Sequence, residues 1–325
     1  MSQSPTRDAT PQRARRPVRP ADVDLRVQLG DLILANPIVT ASGTFASGQE
    51  INRFFDVKRL GAVAVKSITL EPRAGLPTPR MAETASGMLH AIGLQNPGLE
   101  RWLAVDYPWL VQHEVPIIAS IAGRTVHEYR LVAEKLRGLE GIVALEANIS
   151  APHEEDRDTT LSSHPGSAHE IVATIMRVAT VPVFAKLSPD VTDIVAVAAA
   201  AAEAGATGVS LINSPVGLAI DVASRRPTLA AGTGGLSGPA IKPIAVRAVH
   251  QVHRHLPDLP IIGMGGARSV EDVIEFMLAG ASAVGIGTAT FANPVATLEL
   301  VETLPTWLAE RGIRHVRALT GGVRA

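Results

Sequence analysis

Eight short apolar runs recur along the chain, and this pattern constrains the fold more than any other feature of the sequence. Each run is rich in β-branched residues and is followed by a segment that is compatible with a helix. Continuous apolar runs of about four to eight residues are typical of parallel strands buried on both faces. The runs are PIVTASG (37–43), AVAVKSIT (62–69), PIIASIA (116–122), IVALEANIS (142–150), VPVFAKLS (181–188), TGVSLINS (207–214), LPIIGMGG (259–266) and ASAVGIGT (281–288).

Two of the intervening segments carry clear helix boundaries. The segment 192–206 begins with Thr192 and Asp193 and stops at Gly205, and 269–281 begins with Ser269 and approaches its end at Gly280. Ser, Thr and Asp are preferred N-caps, and glycine is the preferred C-terminal stop. Eight strands alternating with helices predict an α/β protein with a (β/α)8 TIM barrel, and an open doubly wound sheet is the alternative.

Composition narrows the class of protein. The chain of 325 residues has a formal net charge of −1, no cysteine and 3% aromatic residues. These values argue against a nucleic-acid or membrane-surface protein and exclude cysteine ligands or nucleophiles within the chain. The Pro- and Arg-rich segment 1–22 has no apolar signal region, so we expect a disordered tail, or a basic docking segment, before one domain over 23–325. The expected location is cytoplasmic.

Polar residues and glycines cluster at the predicted carboxyl ends of the strands, where barrel enzymes place their active sites. Buried lysines are costly unless an anion meets them, which favours a ligand site over simple capping of the rim. The residues are Ser42, Lys66, Ser120, Asn148, Lys186, Asn213, Gly265–Gly266 and Gly287–Thr288.

The last two strands indicate a phosphorylated ligand. GMGG (263–266) and GIGT (285–288) let backbone N–H groups approach an anion, at the loops where this fold commonly binds phosphate. Lys186 could stabilise the reduced isoalloxazine of a flavin. These features favour FMN, while a pyridoxal enzyme or a sugar-phosphate aldolase with a Schiff-base lysine remains an alternative.

Six longer motifs then give a specific resemblance. They are NPIVTASGTF, KSITLEPRAGLPTPRMAETASGMLHAIGLQNPGLE, KLSPDVTDI, GGLSGPAIKP, IIGMGGARSVEDV and ASAVGIGTATF. Together they closely resemble dihydroorotate dehydrogenase, over about residues 24–310 and in the family's order. The most similar branch is the soluble class 1, NAD-linked one, whose FMN barrel pairs with an iron–sulfur, FAD-containing electron-transfer subunit. The resemblance therefore implies pyrimidine biosynthesis, and a homodimer or heterotetramer.

The resemblance also implies roles for particular residues. Those implied for FMN are Ser42, Lys66, Ser67, Ser120, Asn148, Lys186, Ile212, Gly238, Gly265, Gly266, Gly287 and Thr288. Those implied for the pyrimidine substrate are Lys66, His90, Ala91, Ile92, Gly93, Leu94, Asn148, Asn213 and Ser214. The resemblance also implies that Lys66 is one of the catalytic residues. Ser120 stands where the family commonly has an asparagine.

Three positions depart from the family pattern, all on the substrate side. The family motif Asn-x-Ser-(Cys or Ser)-Pro-Asn reads NISAPH here, so Ala151 occupies the base position and cannot accept a proton. His153 replaces a substrate-binding asparagine and is the candidate substitute base, because imidazole titrates near neutral pH. His90 replaces a second asparagine in HAIGLQN.

Three functions remain open on this evidence. The protein could be a dihydroorotate dehydrogenase with a substitute base, an FMN oxidoreductase for another substrate, or a non-catalytic FMN-binding paralogue. No metal site is expected, because the spacing of His153, His164 and His169 matches no tight ligand pattern.

Overall fold

The computed structural model describes residues 17–150 and 164–324, and a barrel of eight parallel strands is its centre. The strands are β3 (Ile38–Thr40), β4 (Val63–Ala64), β7 (Ile117–Ile121), β8 (Ile142–Asn148), β9 (Val183–Leu187), β10 (Gly208–Leu211), β15 (Ile261–Met264) and β16 (Ala283–Ile286). Around the barrel their order is β3-β16-β15-β10-β9-β8-β7-β4, and every neighbouring pair is parallel.

The first and last strands of this order also meet, which closes the barrel. Val39 of β3 and Ala62, just before β4, form a parallel bridge, and the Thr40 N–H donates to the Ala62 carbonyl at 3.3 Å. The predicted (β/α)8 barrel is therefore confirmed, with one strand in each of the eight apolar runs, and the open-sheet alternative is excluded.

Helices cover the outside of the barrel and bury its apolar strands. They are α1 (Leu99–Gln112), α2 (Val126–Lys135), α3 (Pro165–Met176), α4 (Ile194–Glu203), α5 (Lys242–His255), α6 (Val270–Ala279), α7 (Ala289–Ala292) and α8 (Ala296–Glu310). None of the described helices is both long and apolar enough to cross a membrane.

The helix boundaries predicted from the sequence are confirmed for α4 and α6. Asp193 caps α4 by accepting from the N–H groups of Val195 and Ala196. Ser269 and Asp272 form a reciprocal capping box at the start of α6, and Gly280 follows its end at φ 125°. These caps satisfy N–H groups that have no partner inside a helix.

The long loops after β4 and β10 contain strands that the sequence did not reveal. β5 (Met81–Thr84), β6 (Gly87–His90), β11 (Val216–Gly217) and β14 (Gly234–Ser237) form an antiparallel sheet in the order β11-β14-β6-β5. β12 (Ile220–Asp221) pairs with β13 (Arg226–Pro227). Because both loops leave the carboxyl ends of barrel strands, this sheet lies on the face where the polar residues converge.

The other end of the barrel carries a small hairpin. It consists of β1 (Val27–Leu29) and β2 (Leu32–Leu34), and its turn residue Gly30 packs against Thr207. Pro20–Asp22 form a single 3₁₀ turn within the predicted tail. Residues 1–16 lie outside the described part of the chain, so the disordered tail over 1–22 and the domain boundary at 23 stay predictions.

Candidate active site

A chain of hydrogen-bonded side chains crosses the carboxyl ends of the barrel strands. The Asn213 amide donates to Ser150 Oγ at 2.6 Å, and that hydroxyl donates to Asn148 Oδ1 at 3.0 Å. The Asn148 amide donates to Ser67 Oγ at 3.0 Å, and Ser67 shares a 3.0 Å hydrogen bond with Ser120. The hydrogen bonds of this polar network hold amides and hydroxyls together in one region, where they can bind a polar ligand.

The backbone of Asn148, at the centre of the polar network, is also fixed by a hydrogen bond. Its backbone carbonyl accepts from the fully buried Tyr129 hydroxyl at 2.8 Å. Burial raises the pKa of that phenol, so the hydroxyl stays a donor. In the β8–β9 ladder Asn148 stands beside Lys186. Side chains in register on neighbouring parallel strands point the same way, so both reach the mouth of the barrel.

Lys186 is a buried cation at the end of β9. Its side chain is 4% exposed, and its Nζ donates to Ser42 Oγ at 3.0 Å. Glu146 Oε1 lies 3.5 Å from the same nitrogen, and that oxygen has no hydrogen-bond partner among the described residues. Ser210, beside Lys186 in the β9–β10 ladder, also has a buried hydroxyl without a partner in the described part of the chain. Unsatisfied buried polar atoms of this kind mark a place for a polar ligand.

Lys66 is a second cation in the same mouth. Burial, followed by the charge of Lys186, lowers the pKa of Lys66 to about 8. Its ammonium lies over Gly43, where an added Cβ would be 3.5 Å from Nζ. Two neighbouring ammonium groups repel each other, so an anionic ligand between them would be stabilised strongly.

His90 lies on β6, directly opposite Gly235 of β14. A Cβ added to Gly235 would lie 2.9 Å from the His90 ring and 2.7 Å from Ser214 Cβ, so this glycine makes room for the imidazole. Burial and then the charge of Lys66 lower the pKa of His90, against a smaller opposing effect of the Gly235 backbone. The ring is therefore neutral near pH 7, although the sequence alone left a cationic state open.

Three glycines form a close-packed backbone surface, the glycine cradle, consisting of Gly238, Gly265 and Gly266. All three have positive φ, and a Cβ on Gly266 would lie 2.7 Å from the Gly238 carbonyl. A Cβ on Gly265 would lie 2.9 Å from Ala245 Cβ in α5. Only glycine fits these positions, and a backbone without side chains suits close approach by a phosphate.

The described residues fit FMN at both of its ends. The glycine cradle, followed by Gly287 and Thr288 after β16, offers backbone to the phosphate. Lys186, with its unsatisfied buried neighbours, offers a cation to the pyrimidine edge of the ring. The roles of the individual residues stay predictions.

The remaining predicted residues lie around these two groups. Ile212 is buried and its N–H donates to the Met264 carbonyl, and the Ser214 N–H donates to Asn213 Oδ1. The strand β6 leads directly into Ala91, Ile92, Gly93 and Leu94. Gly93 and Leu94 have positive φ, which shapes this turn beside His90. Ala151 and His153 lie outside the described residues.

Two residues of the site were missing from the predicted set. Ser150 joins Asn148 to Asn213 by hydrogen bonds to both side chains. Glu146 is 1% exposed and faces Lys186. A charged residue inside an otherwise apolar strand, two positions before Asn148, was the signal that could have identified it.

A closed (β/α)8 barrel with a glycine cradle, a buried Lys186 and a partly buried Lys66 suits a flavin-dependent oxidoreductase. The family model of dihydroorotate dehydrogenase matches residues 24–308, and the chain belongs to that family. It is accordingly an FMN-dependent oxidoreductase that acts on a CH–CH bond.

Curated relatives agree with this assignment. A dihydroorotate dehydrogenase B (NAD(+)) catalytic subunit of Anoxybacillus flavithermus is 52% identical over 91% of this chain and 95% of the relative. The protein of the same name from Geobacillus kaustophilus is 51% identical over the same shares. That of Listeria monocytogenes is 49% identical over 91% of this chain and 97% of the relative.

Proposed function

We propose that this chain oxidises dihydroorotate to orotate, in pyrimidine biosynthesis, with a proton acceptor other than the residue at the family base position. The polar network beside Lys66 and the buried Lys186 supports this function most directly. Its amides and hydroxyls match the donor and acceptor edge of a pyrimidine, and the lysines match an anionic substrate.

The reaction removes two hydrogens from adjacent carbons. A base takes the proton from C5 while the C6–H bonding pair leaves as a hydride. Bound FMN supplies the hydride acceptor, at N5 of its ring. The protein's part is to hold the substrate and accept the proton, and an anion near Lys66 favours the charged ammonium.

Asn148 and Asn213 are proposed to orient the substrate ring. Their side chains are joined through Ser150, and Asn148 is fixed further by Ser67, so neither amide can rotate without breaking a buried hydrogen bond. Such preorganisation places the C5 and C6 hydrogens for transfer without a cost at the moment of reaction.

Loss of a general base typically costs about 10²–10⁴ in rate, so an alanine at the base position would slow the reaction. We propose His153, two residues beyond Ala151, as the substitute acceptor. His153→Ala should then abolish flavin reduction by dihydroorotate. A wild-type rate in that variant would exclude His153 as the base.

Ala151→Cys offers the complementary test, since it would supply the family's proton acceptor. We expect faster flavin reduction by dihydroorotate, above the rate of the unmodified protein. An unchanged rate would mean that the substrate pocket itself has been remade.

His90 favours the second candidate function, an FMN oxidoreductase for a different substrate. A neutral imidazole against Gly235 presents one donor and one acceptor on a ring, whereas an asparagine presents a carbonyl and an amide. If the substrate is a different one, His90→Asn should improve binding of orotate, because it restores the family's asparagine. Unchanged or weaker orotate binding in that variant would support dihydroorotate as the substrate. A non-catalytic FMN-binding paralogue would show no reduction by any substrate.

The electron acceptor is proposed from the relatives. They are named as catalytic subunits of an NAD(+)-linked enzyme, which implies a second subunit for electron transfer. We propose an iron–sulfur, FAD-containing partner for this chain, in a heterotetramer, with a homodimer of the barrel as the simpler assembly. Co-expression with such a subunit and measurement of NAD(+)-linked turnover tests this.

A further inference from the structure

Strand β8 carries a carboxylate in the barrel interior, two residues before Asn148. Glu146 is 1% exposed, and its Oε1 lies 3.5 Å from Lys186 Nζ. Removing a charge from water is costly unless another charge and hydrogen bonds compensate for it. The pair with Lys186 supplies that compensation for Glu146.

The surroundings of Lys186 contain one anion. Among the described residues, Glu146 of β8 is the acid within ion-pair distance of the Lys186 ammonium. Ser42, after β3, accepts a hydrogen bond but is neutral. Lys66, after β4, is a second cation, and His90 on β6 is neutral near pH 7. Without Glu146, Lys186 would be a buried cation beside another cation.

The requirement for a counterion changes when a flavin is reduced. The oxidised isoalloxazine ring is neutral and offers Lys186 no charge. The ring reduced by two electrons and one proton is anionic, and a nearby cation stabilises it. A partner for the ammonium inside the protein is therefore needed most in the oxidised state.

We propose that Glu146 is a positioning residue that keeps Lys186 protonated while the flavin is oxidised, so that reduction takes up no proton at this lysine. The proposal rests on the proposed placement of FMN, with its ring beside Lys186. Two electrons and one proton then enter the ring, and the charge of Lys186 is the same before and after.

The test is the pH dependence of the flavin midpoint potential, measured anaerobically with reference dyes on the flavin-loaded protein. One proton per two electrons gives a slope of about 30 mV per pH unit, since a tenfold change in such an equilibrium corresponds to about 30 mV. We expect that slope in the unmodified protein. In Glu146→Gln, Lys186 should take up a second proton on reduction, and the slope should double.

The pH range for this measurement follows from the neighbouring groups. Between about pH 6.5 and 7, His90 stays mostly neutral because its pKa is lowered, and Lys66 stays mostly charged because its pKa is about 8. Neither group then contributes more than a small fraction of a proton to the slope. The measurement contains no substrate, so the identity of the base does not affect it.

A double variant identifies the titrating group. Glu146→Gln combined with Lys186→Arg should return the slope to about 30 mV per pH unit, because a guanidinium stays protonated in both flavin states and still stabilises the anionic ring. An unchanged slope in Glu146→Gln alone overturns the proposal. A slope of about 60 mV per pH unit in the unmodified protein also overturns the proposal, and this measurement does not depend on the folding of any variant. Absence of flavin in the purified protein would instead contradict the proposed function.

Discussion

At the scale of single residues, we propose that the charge of Lys66 decides how an anionic substrate binds. Burial and the neighbouring Lys186 lower its pKa to about 8, so the charged form is complete well below pH 8 and is lost as the pH rises through that value. We expect kcat/KM for dihydroorotate to fall about tenfold per pH unit above about pH 8.

The pH profile of kcat/KM, with two lysine variants, checks this. Lys66→Met should have low kcat/KM and no alkaline limb. Lys58→Met, which removes an exposed lysine paired with Glu114, should keep the profile of the unmodified protein. An alkaline limb that persists in Lys66→Met would assign the titration to another group.

Asn148 is the residue on which the polar network depends. Asn148→Ala removes one of the two hydrogen-bond partners from each of the Ser67 and Ser150 hydroxyls, and a lost buried hydrogen-bond partner costs about 1–3 kcal/mol. The free energy of unfolding, measured in urea on flavin-free protein, should fall by an amount in this range. Gln112→Ala, at an exposed position at the end of α1, should change it by less than about 0.5 kcal/mol.

The sequence predicted many of these residues but not their hydrogen-bond partners. Lys66, Asn148 and Lys186 were recognisable because polar residues interrupted apolar strands. The link through Ser150 depends on side-chain directions at the ends of two strands, which a local pattern does not encode. The lowered pKa of His90 depends on burial by a separate loop and on Lys66.

At the scale of elements, the glycine cradle joins the loop after β15 to the segment before α5. Gly266→Ala would place a Cβ 2.7 Å from the Gly238 carbonyl, at φ 81°. We expect substantial loss of bound FMN, because relief of this contact must shift the backbone that meets the phosphate. The flavin content of purified protein, from its absorbance, is the measurement.

Gly138→Ala is the matched control for this substitution. Gly138 also has positive φ, at 70°, but an added Cβ there has nothing within 4 Å. The backbone strain, about 1–2 kcal/mol, is then similar in both variants, while the steric contact is absent from the control. Equal flavin content in Gly266→Ala and Gly138→Ala would contradict a phosphate-binding role for the cradle.

The elements themselves were predictable to different degrees. All eight barrel strands and the boundaries of α4 and α6 follow from apolar runs and capping residues close together in the sequence. The sheet that contains β6 and β14 was missed, because its strands are two to four residues long and come from loops far apart in the chain. Pairing between distant short strands depends on the closed barrel, which brings those loops together.

At the scale of the whole molecule, closure of the barrel brings the two proposed ends of the cofactor site together. The proposed phosphate end follows β15 and β16, and the proposed lysine end follows β4 and β9, at the same face of the barrel. The (β/α)8 barrel was predictable from the alternation of strands and helices, and the site was predictable as a set of strand ends. The proposed proton acceptor involves residues 151 and 153, which lie outside the described structure.

The measurement that tests this account most directly is anaerobic titration of the flavin-loaded protein with dihydroorotate, followed by flavin absorbance and product analysis. The account predicts that the flavin is bleached and that one orotate appears per flavin reduced. A flavin that keeps its colour with excess dihydroorotate, yet is bleached by a chemical reductant, would contradict dihydroorotate as the substrate.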